Sequence, residues 1–159
     1  MKRITMFVSA LFIAMNLTTI SANENLSKQD VYDFVKKCGT YFIATTEGDQ
    51  ARVRPFGTIA LFEQKLYIQT GKQKNVAKQI AANPKIEICA LDIASGKWIR
   101  IAATAVADER KEAKQYMLDQ YPELKSMYSA DDDNTLVLYL KDVTATLYSF
   151  SDAPQTVQF

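Results

Sequence analysis

The chain alternates short β-prone runs with turn signals so closely that most of the runs must pair with their neighbours as hairpins. Thr40 to Thr46 is apolar and β-prone, and Glu47-Gly48-Asp49-Gln50 supplies turn chemistry before the next run, Ala51 to Leu61. A second turn at Glu63-Gln64 leads into Leu66 to Thr70, Ala94-Ser95-Gly96 joins Lys85–Leu91 to Lys97–Ala107, and a long β-rich stretch runs from Thr135 to Phe150. Helical spacing interrupts this series. Ser27 and Asp30 form a capping-box pattern ahead of Val31, Phe34, Val35 and Cys38, with Gly39 as the stop. Val76, Ala77, Ile80 and Ala81 keep the same period until Asn83-Pro84. Asp108 is placed to cap a third helix to about Leu118, and Pro122 opens a further helical turn reaching about Tyr128. Six strands in one small flat sheet would leave exposed edges. The pattern therefore predicts a mainly β (α+β) fold, a closed or split antiparallel barrel of six strands with flanking helices.

A chain of 159 residues, 48% hydrophobic and 23% charged, is long enough for one domain with one substantial core. It contains no histidine, which excludes Ser-His-Asp triads, His-ligated zinc, a His haem ligand and imidazole acid–base chemistry. The formal charge is +1 and carries no electrostatic footprint for nucleic acid. Lys2 and Arg3 followed by an apolar run from Ile4 to Met15 and a polar patch to Ala22 read as a signal peptide over residues 1–22, with the domain over 23–159. The run is about 12 residues long against the roughly 20 of a stable bilayer span, so the expectation is export to the periplasm or medium with no membrane span left afterwards. Cys38 and Cys89 would then lie where disulfides persist, and whether they join is open. Asp131-Asp132-Asp133 reads as a solvated loop, and no metal site is expected.

The chemistry is concentrated in Arg52-Val53-Arg54-Pro55-Phe56. Residues two apart on a strand share a face about 7 Å apart, so the two arginines form a paired cationic site suited to the oxygens of a phosphate. Pro55 donates no amide hydrogen, which puts this strand at an edge or bulge with backbone free to meet a ligand. Arginines reaching solvent or Glu47 and Asp49 explain the same residues equally well. One hairpin further on, Thr70-Gly71-Lys72-Gln73-Lys74-Asn75 leads a strand into a helix start, where free amides, the helix dipole and Lys74 favour an anion.

These segments, together with Tyr41-Phe42-Ile43-Ala44-Thr45-Thr46, Leu66-Tyr67-Ile68-Gln69-Thr70, Gln79-Ile80-Ala81-Ala82-Asn83-Pro84 and Trp98-Ile99-Arg100-Ile101, resemble the FMN-binding split-barrel proteins related to pyridoxamine 5'-phosphate oxidase. The resemblance covers about residues 28 to 159 and includes the ending Leu147 to Pro154. It implies a homodimer with FMN at the interface, the strand Arg52, Val53, Arg54, Pro55 and Phe56 beside phosphate and ring, Gln69 and Thr70 at the end of the next strand, and Lys74 and Asn75 facing the phosphate. It also implies that Trp98 contacts the flavin, often from the partner. Read from the residues alone, Trp98 is equally a core tryptophan beside Ile99 and Ile101, and Arg100 is as well placed to pair with Glu87 as to meet a ligand. Two departures matter. Where the vitamin-processing oxidases carry a basic pair, this chain has Asn75 and Val76, and it ends in Pro154 to Phe159 with none of their arginine and histidine for the substrate phosphate. The reading is thus an FMN-dependent oxidoreductase acting on a small substrate other than pyridoxamine 5'-phosphate, with no side-chain acid or base nominated. A non-catalytic flavin- or haem-binding protein is the alternative.

Overall fold

The computed structural model describes residues 25–159, so the leader expected over residues 1–22 lies outside the described residues. The first helix, α1 (Lys28–Cys38), begins as its capping box dictates. The Ser27 hydroxyl accepts from the Asp30 amide, the Asp30 carboxylate accepts from the Ser27 amide, and Gly39 ends the helix at φ 71°. Its apolar stripe buries Val31 and Val35 against the barrel.

Eight strands follow: β1 (Tyr41–Glu47), β2 (Gln50–Phe56), β3 (Ala60–Phe62), β4 (Lys65–Gly71), β5 (Lys85–Asp92), β6 (Lys97–Asp108), β7 (Thr135–Tyr148) and β8 (Gln155–Gln158). Helix α2 (Asn75–Ala82) connects β4 to β5. Helix α3 (Lys111–Gln120) and a 3-10 turn (Pro122–Ser126) lie between β6 and β7. All pairings are antiparallel, in the order β2-β1-β5-β6-β7-β4-β3, with β8 added beside β7. This is the split barrel expected from the hairpin pattern.

The count exceeds the six strands expected, for two physical reasons. The run Ala51 to Leu61 is not one strand. It breaks at Gly57 to Ile59: β2, which keeps Pro55 and Phe56, stays with β1, and the chain crosses over to become β3 beside β4. The ending after Phe150, to which the pattern assigns no strand, forms β8. Asp142 on β7, at φ 54°, accompanies a register shift against β6, and this bulge bends β7 so that its first half pairs with β4 and its second with β8. Phe159 closes the edge through reciprocal backbone bonds with Val143 of 2.8 and 3.1 Å. Helix α3 also starts later than Asp108, which is the last residue of β6 and accepts from the Arg110 amide at 3.0 Å.

The main core lies inside the barrel, where Tyr41, Ile43, Ile68, Ile88, Ile99 and Ile101 are fully enclosed. A smaller core of Ala60, Tyr67, Ala113, Met117 and Val137 holds α3 to the outer face of β4 and β7. It is sealed by a polar cluster. The Tyr67 hydroxyl donates to the buried Asp108 carboxylate at 2.9 Å, and Arg110 bridges Asp108 and Glu63, each at 2.8 Å. The hydrogen bonds from Arg110, helped by that from Tyr67, hold Asp108 down from the ordinary aspartate value of 3.8 to about 2. Burial and then the bond to Asp108 push Tyr67 up to about 12. Cys38 and Cys89 are both free thiols.

Because the Asp108 pKa is depressed on folding, its contribution to stability is complete above the unfolded value and is lost as pH falls toward about 2. The difference in urea-unfolding free energy between wild type and Asp108→Asn should hold constant above about pH 5 and shrink steadily below pH 4. A difference that does not change with pH would rule out this cluster as the cause.

Candidate functional site

The break between β2 and β3 opens a cleft. Along β2 the side chains alternate, and Arg54, paired with Ile43 of β1, turns its guanidinium toward α2. A closed ring of bonds holds it there. Arg54 donates to the Thr45 hydroxyl at 2.6 Å and to the Gln79 side-chain carbonyl at 2.5 Å, and the Thr45 hydroxyl donates to that same carbonyl at 2.7 Å. All its acceptors are neutral, including the backbone carbonyls of Ile43 and Arg52. Burial, and then the charge of Arg52, lower its pKa from the usual guanidinium value, with Glu47 opposing in part.

Beyond Arg54 the chain passes Pro55, Phe56 and Gly57 to Thr58. The Thr58 carbonyl accepts from the Tyr41 hydroxyl at 2.7 Å and the Thr58 hydroxyl accepts from the Gln69 amide at 3.2 Å. Opposite, Gln69 and Thr70 lie near the end of β4, and Lys74 is the N-cap of α2. Among the described residues no side chain caps that helix, so the amides of its first turn have no side-chain acceptor there. Lys74 has no carboxylate partner among the described residues; its ammonium lies 5.9 Å from the Tyr128 ring centroid. The third wall is the 3-10 turn and its exit, with Leu124, Met127 and Tyr128. Together these residues enclose about 240 Å³.

Gln69 is the unusual member. It is 5% exposed and lines the cleft, yet among the described residues neither its side-chain nitrogen nor its side-chain oxygen has a hydrogen-bond partner. A buried primary amide with both ends unpaired costs about 1–3 kcal/mol per group, a cost a ligand offering a donor and an acceptor would remove.

Of the residues singled out in the sequence, Arg54, Pro55, Phe56, Gln69, Thr70 and Lys74 come together here. Arg52 does not: its guanidinium is bound to Glu47 across the hairpin, at 2.8 and 2.6 Å. Val53 points to the opposite side and is 64% exposed, and Asn75 begins α2 outside the cleft lining. Trp98 is not enclosed in the core with Ile99 and Ile101. It lies on the outer face of β6, stacked on Tyr148 at 5.3 Å and 9°, with Phe150 tilted against it, and Arg100 beside it is held by Glu87. Within one chain Trp98 is not among the residues that line the cleft. Sequence reasoning misses Gly57, Thr58, Val76 and the 3-10 wall. Nothing in the sequence places the Tyr128 ring beside Lys74.

The fold and site define a small antiparallel split-barrel domain with a cationic cleft at its seam, and comparison with known proteins narrows the class. The pyridoxamine 5'-phosphate oxidase family model matches residues 27–147, and the chain belongs to that family. The crystal structure of a NimC/NimA family protein from Clostridium acetobutylicum is similar at 40% identity and a TM-score of 0.79, over 82% of this chain and 91% of that one. General stress protein 26 from Bacillus anthracis shares the fold at 16% identity and a TM-score of 0.64, over 81% and 98%. HutZ, the haem storage protein from Vibrio cholerae, shares it at 14% identity and a TM-score of 0.58, over 72% and 88%. No curated protein matches the chain in sequence.

Gln79 is the hub of the ring that holds Arg54. Gln79→Leu keeps the volume but strands the Thr45 hydroxyl and the guanidinium, and should lower stability by about 1–3 kcal/mol. Urea denaturation measures this, and Gln79→Glu, which keeps an acceptor, should lose less.

Proposed function

We propose that the protein is a homodimeric FMN-dependent oxidoreductase acting on a small substrate, with FMN in the seam cleft. The observation that carries this reading is the pairing of two cations without carboxylate partners, Arg54 and Lys74, with a buried amide at Gln69 that has no partner. Arg54, Lys74 and the first amides of α2 would hold the phosphoryl group. Gln69 presents a donor and an acceptor in a dry wall, the complement of an imide edge on the ring. Thr70 adds a hydroxyl beside it. When bound, FMN supplies hydride transfer between a reduced donor and the substrate, while the chain's own residues anchor, orient and exclude water.

The homodimer is part of the proposal. The cleft's 240 Å³ falls below the roughly 300 Å³ at which ligand pockets begin, so a second wall is needed. The outer sheet face next to it bears Phe42, Val53 and Leu91, all more than half exposed, with Trp98 and Tyr148 further along. An isologous contact through this face would cover them and bring Trp98 of one chain toward the other's cleft. Export behind residues 1–22 belongs to the same proposal, and N-terminal sequencing of the mature protein tests it.

The visible spectrum of the purified protein is the direct test. Flavin bands that bleach with a nicotinamide donor are expected; a Soret band would favour the haem alternative, and flavin that never turns over a carrier. Lys74→Ala and Arg54→Met should each weaken FMN binding by about tenfold or more in a fluorescence titration, as loss of a charge-assisted phosphate contact does. Unchanged affinity in both variants would overturn the site.

A further inference from the structure

A second concavity lies on the other side of α2, and it follows from a mismatch in strand length. β5 begins at Lys85, opposite Thr104, but β6 runs on to Asp108. Past that point the free side of β6 has one backbone tie, from the Ala105 amide to the Pro84 carbonyl at 2.9 Å. Backbone groups alternate in direction along a strand, so the Ala107 amide is turned the same way, into the gap. Helix α2 covers this gap with short side chains. Ala77 and Ala81 face Ala105 and Ala107, and Ile80 with Leu136 and Leu138 forms the buried floor. The space left is about 370 Å³, within the range of pockets that hold small molecules. It shares no lining residue with the seam cleft.

The mouth carries Lys72, Lys78 and Glu109. Glu109 is already engaged by Lys72 at 2.8 Å and by Lys114 at 3.3 Å. Lys78 has no carboxylate partner among the described residues. What the mouth offers is therefore donors: the Lys78 ammonium and the Ala107 amide. An apolar interior closed by donors complements one kind of molecule, a short hydrocarbon body ending in an acceptor anion.

We propose that this cavity binds a small amphiphilic carboxylate, its hydrocarbon body between α2 and the overhanging end of β6 and its head on Lys78 and the Ala107 amide. Isothermal titration calorimetry of the full protein with octanoate, and with octanol as the uncharged control, tests this. Octanoate should bind saturably at one site per chain and about fivefold or more tighter than octanol, and Lys78→Glu should remove that preference. Filling the gap by Ala105→Leu or Ala77→Leu should abolish binding of both probes. Lys74→Ala, in the seam cleft, should leave octanoate affinity unchanged, which keeps this site's test independent of FMN. The proposal is overturned by absent saturable binding, by equal affinity for octanol, by binding that survives both filling variants, or by loss in Lys74→Ala. Lys78 is exposed, so Lys78→Glu still decides the matter where a filled core does not fold.

Discussion

The crossing of the chain from β2 to β3 is the constraint on which the rest depends. β2 belongs to β1 and β3 belongs to β4, so the residues from Gly57 to Ile59 must bridge two parts of the sheet that do not pair with each other. Backbone groups in such a bridge lose their ladder partners and must find others. They do so through side chains: Tyr41 serves the Thr58 carbonyl, and the Tyr121 hydroxyl both donates to the Ile59 carbonyl at 2.8 Å and accepts from the Ile59 amide at 2.9 Å. Tyr121 also caps the C-terminus of α3 and starts the 3-10 turn. One residue thus fixes the seam and the third wall of the cleft together.

Charge at the seam is arranged by the choice of neutral partners. Arg52 and Arg54 sit two apart on one strand, but Arg52 meets Glu47 while Arg54 meets a hydroxyl and an amide. An ion pair neutralises; a ring of neutral acceptors orients a cation and leaves its field available to a ligand. The same holds for Lys74, which leans toward an aromatic ring. Gly71, just before it, keeps the turn tight. A Cβ there would lie 3.1 Å from the Asn134 side chain and 3.3 Å from the Tyr128 hydroxyl, so the approach of Tyr128 to the cleft depends on a residue without one.

Much of the fold is legible in the sequence because its signals are local. The Ser27–Asp30 box, the Gly39 stop, the β1–β2 hairpin and the Val76–Ile80 period each depend on residues a few positions apart, and each appears where the pattern puts it. The misses are all long-range. That the run after Gln50 breaks in two depends on Tyr41, Gln69 and Tyr121 receiving the bridge, and that the ending becomes β8 depends on the bend of β7 at Asp142 exposing an edge for it. The site is legible to the same extent. Paired arginines and a lysine at a helix start can be read from a string; which arginine is free cannot, since it is decided by Glu47 lying across the turn.

Two features of the cleft work against the stability of the isolated chain. Gln69 is buried with its side-chain amide unsatisfied among the described residues, and Arg54 is held partly out of water with no carboxylate in contact there. Each is unfavourable by itself, and such departures from local consistency are common where a ligand acts; the buried Thr135 hydroxyl, also without a partner among the described residues, lies outside the cleft lining. The Asp108–Arg110–Glu63 cluster is the opposite case. There a buried carboxylate receives a guanidinium and a phenol, every polar group is satisfied, and the outcome is structural. At the seam the same chain leaves donors unmet beside the uncapped start of a helix. Both unmet groups would be relieved by one anion-bearing ligand whose ring carries imide-like hydrogen-bonding groups, and a flavin mononucleotide supplies both.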